Sequence, residues 1–282
     1  MVPTRNSRRT IETCLVSVRE QEYRDIELVV VDNGSDDGTF ELAQAHADIA
    51  IRSGNERSAQ RNRGAQLAHG DYLLFIDSDM SLRPDVVSQC LTALDLAGAS
   101  AAVVPEVSVG RGFWANCRAL ERSCYLGDDL VEAPRFFTRR AFESVGGFDE
   151  DLIAFEDWDL SIRLASESRF PRANAWIVHD EGRLRLLGCL AKKRYYAGSL
   201  LAFWRKHGIN GLRRANSIAR PAFARNWRKL ARHPLLAIGI IVLKSLEVAA
   251  ALVGIAGSLS IGTFNSRGPR PLDGQPLRET KS

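Results

Sequence analysis

Gly70-Asp71-Tyr72-Leu73-Leu74-Phe75-Ile76-Asp77-Ser78-Asp79-Met80 is the stretch whose reading decides the fold. Residues 72–76 form a short, unbroken apolar run, the pattern of a strand buried on both faces. Two carboxylates follow, one residue apart. At strand spacing alternate side chains project to the same side, so Asp77 and Asp79 are expected to point together at the strand's carboxyl end. Ligands of open α/β sheets bind in that crevice. A pair of acids there suits a hard divalent cation such as Mg2+ or Mn2+, which prefers oxygen ligands and bridges substrate phosphates. The competing reading is a solvated Asp-Ser-Asp turn capping the next helix.

Upstream, Leu28-Val29-Val30-Val31-Asp32 repeats the form of a buried strand ending in an acid, and Asn33-Gly34-Ser35-Asp36-Asp37-Gly38 is turn material. Val2-Pro3-Thr4-Arg5-Asn6 reads as the exit from a strand. Helical spacing runs over 10–22, with Ile11, Leu15 and Val18 on one face. Further helices are expected over 39–47, 58–68 and from Pro84, proline being favoured in a first turn. Short strands are expected at 48–52 and 101–104. Strands alternating with helices predict a mostly parallel sheet covered on both faces. Downstream, helices are expected over 113–126 and 156–167, a tight turn at Gly146-Gly147-Phe148-Asp149, and a strand over 175–179 that ends at His179. There is no internal repeat.

The 282 residues suffice for one large α/β domain and an appendage. The formal net charge of +4 is unevenly spread, because 183–233 is rich in Lys and Arg and contains no Asp or Glu. Such a stretch suits an anionic partner, membrane lipid or nucleic acid. An apolar span follows it and no nucleic-acid-binding module accompanies it, so anionic lipid is expected and nucleic acid is not. The cysteines Cys14, Cys90, Cys117, Cys124 and Cys189 are scattered, with no CxxC pair, which fits a reduced cytosolic domain. Met1-Val2-Pro3-Thr4-Arg5 lacks the apolar core of a signal peptide.

Three constellations carry chemistry. Asp32, at a strand end before a Gly-rich turn, could bind a ribose, a base edge or a metal. A calcium loop starting at Asn33 fails at its twelfth position, where Gln44 stands in place of Glu. No G-x-G-x-x-G follows any strand, so dinucleotide binding is not expected. Arg57, Arg61 and Arg63, at the start of a helix just before the diacid strand, could hold a diphosphate, Arg61 best of the three. In Phe155-Glu156-Asp157-Trp158-Asp159, a carboxylate is placed to act as general base on an acceptor hydroxyl, and Trp158 is a flat apolar wall for a sugar. Dipole compensation at a helix N-terminus is the alternative for these acids.

Pro3-Thr4-Arg5-Asn6, Val30 to Thr39, Arg61-Asn62-Arg63-Gly64, Asp77-Ser78-Asp79, Gly146-Gly147-Phe148-Asp149 and Glu156-Asp157 stand in the order found in family 2 glycosyltransferases, which the chain resembles over 3–181. The resemblance implies a GT-A (Rossmann-like) α/β fold and inverting transfer from a nucleotide-sugar with Mg2+ or Mn2+. It implies that Thr4 and Asp32 contact the nucleoside, that Arg61 lies near the nucleotide, and that Asp77 meets the ribose and diphosphate. Asp79 of the D-x-D motif would bind the metal, with Asp77 and His179 beside it. Asp157 would be the catalytic base, with Glu156 and Trp158 at the acceptor. The family's first strand should precede Pro3, where only Met1-Val2 stand. A base of this kind favours a hydroxyl acceptor, a glycan or glycolipid, over an already ionised lipid phosphate. A catalytically silent nucleotide-sugar-binding or scaffold subunit is the alternative function.

Residues 235–261 are long enough to cross the ~30 Å hydrocarbon core, although Lys244 and Glu247 interrupt them. Three residues apart, these two share a helix face and could pair. The expected organisation is a catalytic domain over 1–182, basic amphipathic helices over 183–233, an apolar membrane-associated or transmembrane helix over 234–263, and a disordered tail over 264–282. The location expected is the cytoplasmic face of the cell membrane, peripheral or single-pass.

Overall fold

The computed structural model describes residues 1–164, 169–215 and 220–260. The first half alternates as expected: β1 (Val2–Thr4), α1 (Ile11–Arg19), β2 (Val29–Asp32), α2 (Thr39–His46), β3 (Ile49–Arg52), α3 (Arg57–Leu67) and β4 (Tyr72–Leu74). Then come β5 (Met80–Leu82), α4 (Val86–Ala97), β6 (Ala101–Ala102), β7 (Glu106–Val109), α5 (Phe113–Ser123), β8 (Phe136–Thr138), α6 (Arg139–Ser144), α7 (Glu156–Leu164) and β9 (Ile177–Asp180). The chain continues in α8 (Leu186–Ala215), α9 (Pro221–Arg225), α10 (Trp227–Arg232) and α11 (Pro234–Ser260). The part of the expected 156–167 helix beyond Leu164, and the expected tail from 264, lie outside the described residues.

Strands β1, β2 and β3 pair in parallel in the order β1-β2-β3. On the open side of β1, the Met1 amino group donates to the Leu74 carbonyl at 2.8 Å, and the Ile76 N–H donates to the Met1 carbonyl at 3.2 Å. That parallel pattern sets β4 beside β1, and β4-β8-β6 completes the sheet with β8 reversed. So short a β1 still holds its place because all three of its residues are buried between two neighbours. Alternation along 73–76 divides the core. Ile76 joins Val2, Ile11, Leu15, Val30 and Val86 on one face, while Leu73 and Phe75 join Phe137, Phe142, Phe148 and Leu160 on the other. The Phe75 ring lies 5.1 Å from both Phe142 and Phe148, so its face carries an aromatic cluster.

Three local expectations are corrected. Strand β4 ends at Leu74; residues 77–79 leave the sheet in a turn closed by the Met80 N–H donating to the Asp77 carbonyl at 3.0 Å. Asp77 and Asp79 are therefore turn residues, without strand spacing. Helix α4 starts at Val86: its first helical bond runs from the Gln89 N–H to the Asp85 carbonyl at 2.9 Å, after a turn over Pro84 closed by the Val86 N–H on the Arg83 carbonyl. A second small sheet, β5-β9-β7, was not expected; β9 runs antiparallel to β5 and parallel to β7. It brings His179 beside the 77–79 turn.

The C-terminal helices pack on this body. Helix α11 lies along α5 and α8. At Gly254 a Cβ would fall 2.5 Å from the Arg194 carbonyl of α8, so only glycine permits that approach. Lys244 and Glu247 do pair, at 3.5 Å, but they also meet α5: Lys244 contacts Glu121 and Arg118 contacts Glu247, while Arg118 reaches Glu121 at 2.8 Å. All four side chains are nearly buried. Burial raises the Glu121 carboxyl, but Lys244 and Arg118 outweigh it and hold it down at about 2. Removing Lys244 leaves two buried carboxylates, Glu121 and Glu247, on the single charge of Arg118. Lys244→Met is expected to destabilise the chain by about 3–5 kcal/mol, seen as a lower urea midpoint; an unchanged midpoint would show that α11 is not held this way. The same linkage has a sign in pH. The contribution of Glu121 is fully present above its ordinary 4.5 and is lost as the pH falls toward 2.

Candidate active site

Helix α3 packs on β1 and β2 and turns Arg57 and Arg61, four residues apart, toward the ends of the strands. Arg61 is fully buried. Its Nη1 donates to Asp157 Oδ1 at 2.9 Å and to Glu156 Oε1 at 3.2 Å, and its Nη2 donates to Asp77 Oδ1 at 2.8 Å. The planar guanidinium is the one side chain that can serve three carboxylates from different elements at fixed angles. Its Cζ lies over the Phe148 ring, 5.1 Å from the centroid. Phe148 is placed by the Gly146-Gly147 turn, where Asn62 accepts from the Phe148 N–H and donates to its carbonyl, each at 2.9 Å. Gly147 has φ +71°, and a Cβ there would meet Asn62 Oδ1 at 2.7 Å.

From Asp77 the charges continue as a chain. Arg135 Nη2 lies 3.6 Å from Asp77 Oδ2, and Arg135 Nε donates to Glu106 Oε1 at 2.6 Å. His179 Nε2 stands 3.2 Å from Asp79 Oδ2, and His179 Nδ1 lies 3.7 Å from Glu106, too far for a good hydrogen bond. Burial alone raises the Asp77 carboxyl, but Arg61 and Arg135 drive it far below the usual carboxylate range. Glu106 is likewise driven down, against its own burial, by Arg135 and His179. Burial lowers the His179 imidazole, but its contacts with Asp79 and Glu106 outweigh this and raise it to about 10. Burial pushes the Glu156 carboxyl up, and Asp157 adds to the push, with Arg57 and Arg61 opposing.

The expected site residues separate into two groups. Arg61, Asp77, Asp79, Asp157 and His179 are brought together. The tandem acids divide by exposure: the Asp157 side chain is 33% exposed, Glu156 only 3%. Glu156, expected at the acceptor, instead faces Arg61 and, at 3.6 Å, Arg57. Trp158, expected as a sugar wall, donates from Nε1 to the Val131 carbonyl at 2.9 Å and packs on Phe155 and Phe203 of α8. Phe155 has φ +69°, a strained backbone for a bulky residue, and that same aromatic stack holds it in place just ahead of the two acids.

Asp32 is fully buried and turned into its own loop, accepting from the Ser35 N–H at 2.9 Å and from the Ser35 hydroxyl. It organises the turn. Thr4 stands opposite it in the β1–β2 register, with Oγ1 buried and unpartnered. Glu106 and Arg135 were missed from sequence. Neither lies in a motif, and they meet the site only through β7 and the entry to β8.

Among the described residues, no group of three His, Cys, Asp or Glu is arranged to hold a metal ion. Asp79 and His179 nevertheless fit a cation that takes its other oxygens from water and phosphates, since Asp79 Oδ1 is buried without a partner. His179 must lose its proton to serve. Asp77, expected as a third ligand, has both carboxylate oxygens engaged by arginines.

Residues 1–146 match Glycosyl transferase family 2. A PGL/p-HBAD biosynthesis glycosyltransferase of Mycobacterium tuberculosis (strain H37Rv) is 29% identical over 176 residues, 59% of this chain and 68% of that protein. Chondroitin synthase of Escherichia coli is 27% identical over 188 residues, 61% of this chain. The chain spans only 22% to 28% of the length of several curated relatives that it matches, chondroitin synthase among them. The crystal structure of S. aureus TarS 1–349 superposes with a TM-score of 0.54 at 18% identity, over 94% of this chain and 91% of that one, a likeness of fold. The matched residues run from β1 through α6 and include Arg61, Asp77, Asp79, Glu106 and Arg135, so the chain belongs to glycosyl transferase family 2 and is a glycosyltransferase.

Proposed function

We propose that the chain transfers a sugar from a nucleotide-sugar to a hydroxyl group of a glycan or glycolipid, with inversion, using Mg2+ or Mn2+ at Asp79 and His179. The observation that carries this is the split made by Arg61. On one side it holds Asp157, partly open to solvent; on the other it holds Asp77, next to Asp79 with its unpartnered Oδ1. Proton acceptor and diphosphate site are thus held a single guanidinium apart.

Arg61 Nε and Arg135 Nη1 are buried without partners and are the donors left to receive phosphate oxygens. The cation, when bound, neutralises charge on the departing nucleoside diphosphate. Thr4 Oγ1 is the polar atom at the β1 edge available to a nucleoside. Asp157 takes the proton of the acceptor hydroxyl as its oxygen attacks the anomeric carbon from the face opposite the leaving group. One displacement inverts the centre. A base is useful only for an acceptor that carries a proton, which favours a hydroxyl over a lipid phosphate. Structures of TarS in complex with UDP and with UDP-GlcNAc make uridine nucleotides the first donors to try. The mycobacterial relative is named for PGL/p-HBAD biosynthesis and the E. coli relative as a chondroitin synthase, which supports the acceptor class. The acid-free segment 183–233 and the apolar α11 support work at the cytoplasmic membrane face.

Two substitutions test the assignments separately. Asp79→Ala is expected to abolish Mn2+-dependent binding of UDP with the fold intact; calorimetry that finds the Mn2+ dependence unchanged removes Asp79 from the metal site. Asp157→Asn keeps the shape and loses the basicity. Donor binding should survive while transfer falls by about 10²–10⁴-fold, and near-normal turnover would point to another base.

A further inference from the structure

Helix α11 offers 24 residues, Pro234–Gly257, with mean hydropathy 2.2, long and apolar enough to cross a membrane. Its two faces differ over Pro234–Gly257. Ile240, Leu243, Lys244 and Glu247 are buried, and glycines at both ends of this stripe touch the body: Gly239 against Cys117 of α5 and Gly254 against Arg194 of α8. The opposite stripe is exposed, with Leu235, Ile238, Ile241, Leu252 and Val253 each more than half exposed. From 235 to 256 that stripe runs about 32 Å at 1.5 Å per residue. A helix that crossed a bilayer would carry α5 and α8 into the hydrocarbon with it. Helix α5 exposes Asn116, α8 exposes Lys192 and Arg194, and the buried ion cluster would lie near the midplane. Lipid tails cannot solvate such groups. Directly before α11 stand Trp227, 60% exposed, and the exposed Arg228 and Arg232, residues that suit the interface and an anionic headgroup layer.

We propose that α11 lies in the plane of an anionic phospholipid bilayer, docked on the domain along one stripe and sunk into a single leaflet along the other, without crossing. The proposal rests on the membrane-facing reading of the tail and not on the chemistry of the site. The geometry is that of an interfacial helix whose polar side is supplied by protein instead of water. The Arg118–Glu121–Lys244–Glu247 cluster then sets the rotation of the helix, fixing which stripe faces lipid.

The test uses the full chain carrying Cys189→Ser, with Ile238→Cys, Leu246→Cys or Val253→Cys labelled by an environment-sensitive fluorophore. Added to sealed vesicles of phosphatidylcholine and phosphatidylglycerol, all three labels should shift to the blue. All three should be bleached by a membrane-impermeant reductant added outside. Vesicles of phosphatidylcholine alone should give a smaller shift, since the headgroup charge is missing. Protection of Val253 with bleaching of Ile238 would mean that the helix crosses, and overturns the proposal. No shift at any position would mean that the stripe is covered by protein, and overturns it too. Hydrolysis of UDP-sugar by the Ile241→Glu/Val253→Glu variant in detergent reports on the site separately; vesicle binding should be lost while hydrolysis is unchanged.

Discussion

The contact on which the site depends is Arg61 with three carboxylates. A guanidinium buried without counter-charges is prohibitive in free energy, so the position of Arg61 on α3 obliges Asp77, Glu156 and Asp157 to converge on it. These acids come from the turn after β4 and the first turn of α7, about 80 residues apart in sequence. Both sets of acids sit where regular structure changes. The 77–79 turn has left the sheet, and α7 begins just after the strained Phe155. A fixed charge pattern does there what backbone hydrogen bonding does elsewhere.

Support for this node comes from two directions. The Gly146-Gly147 turn sets the Phe148 ring under the Arg61 guanidinium through Asn62, tying the turn back to α3. Helix α8 braces α7 through Phe203 stacked on Phe155, and through His207 and Lys206, which meet the buried Asp159 at 2.7 and 2.8 Å. Asp159 stands two residues beyond Asp157, so α8 holds the helix that carries the proposed base. Helix α11 in turn packs on α8. The apolar end of the chain is thereby connected to the catalytic domain by packing rather than by a free linker.

Much of the first half was legible because its signals are local. A buried strand is a run of apolar residues, and five of the sheet's six strands were marked by such runs or by the helices between them; the reversed β8 was not expected. The site residues Arg61, Asp77, Asp79, Asp157 and His179 were legible from ordered motifs, and each ends up in the cluster. The strand-spacing argument for Asp77 and Asp79 failed because period two holds only while the chain stays in the sheet; after Ile76 it does not. Glu106 and Arg135 were invisible because their role is long-range charge pairing, which leaves no periodic trace. Glu156 turns to Arg61 and Arg57 of α3, and Trp158 packs on Phe203 of α8; nothing local in the sequence marks either contact. In the tail, Lys244 and Glu247 were read as a self-contained pair. Their partners Arg118 and Glu121, three apart on α5, form the complementary pattern, but only the fold brings the two helices together.

If Arg61 and its acids act as one unit, their energies cannot add. A double-mutant cycle over Arg61→Met and Glu156→Gln, read by urea denaturation, measures this directly. Loss of Arg61 alone strands a buried Glu156, whereas the double variant has no such charge to strand. The double variant should therefore be more stable than the sum of the single losses allows, by about 0.5–3 kcal/mol. Additivity within about 0.3–0.5 kcal/mol would show that Arg61 and Glu156 are independent, and would contradict the account.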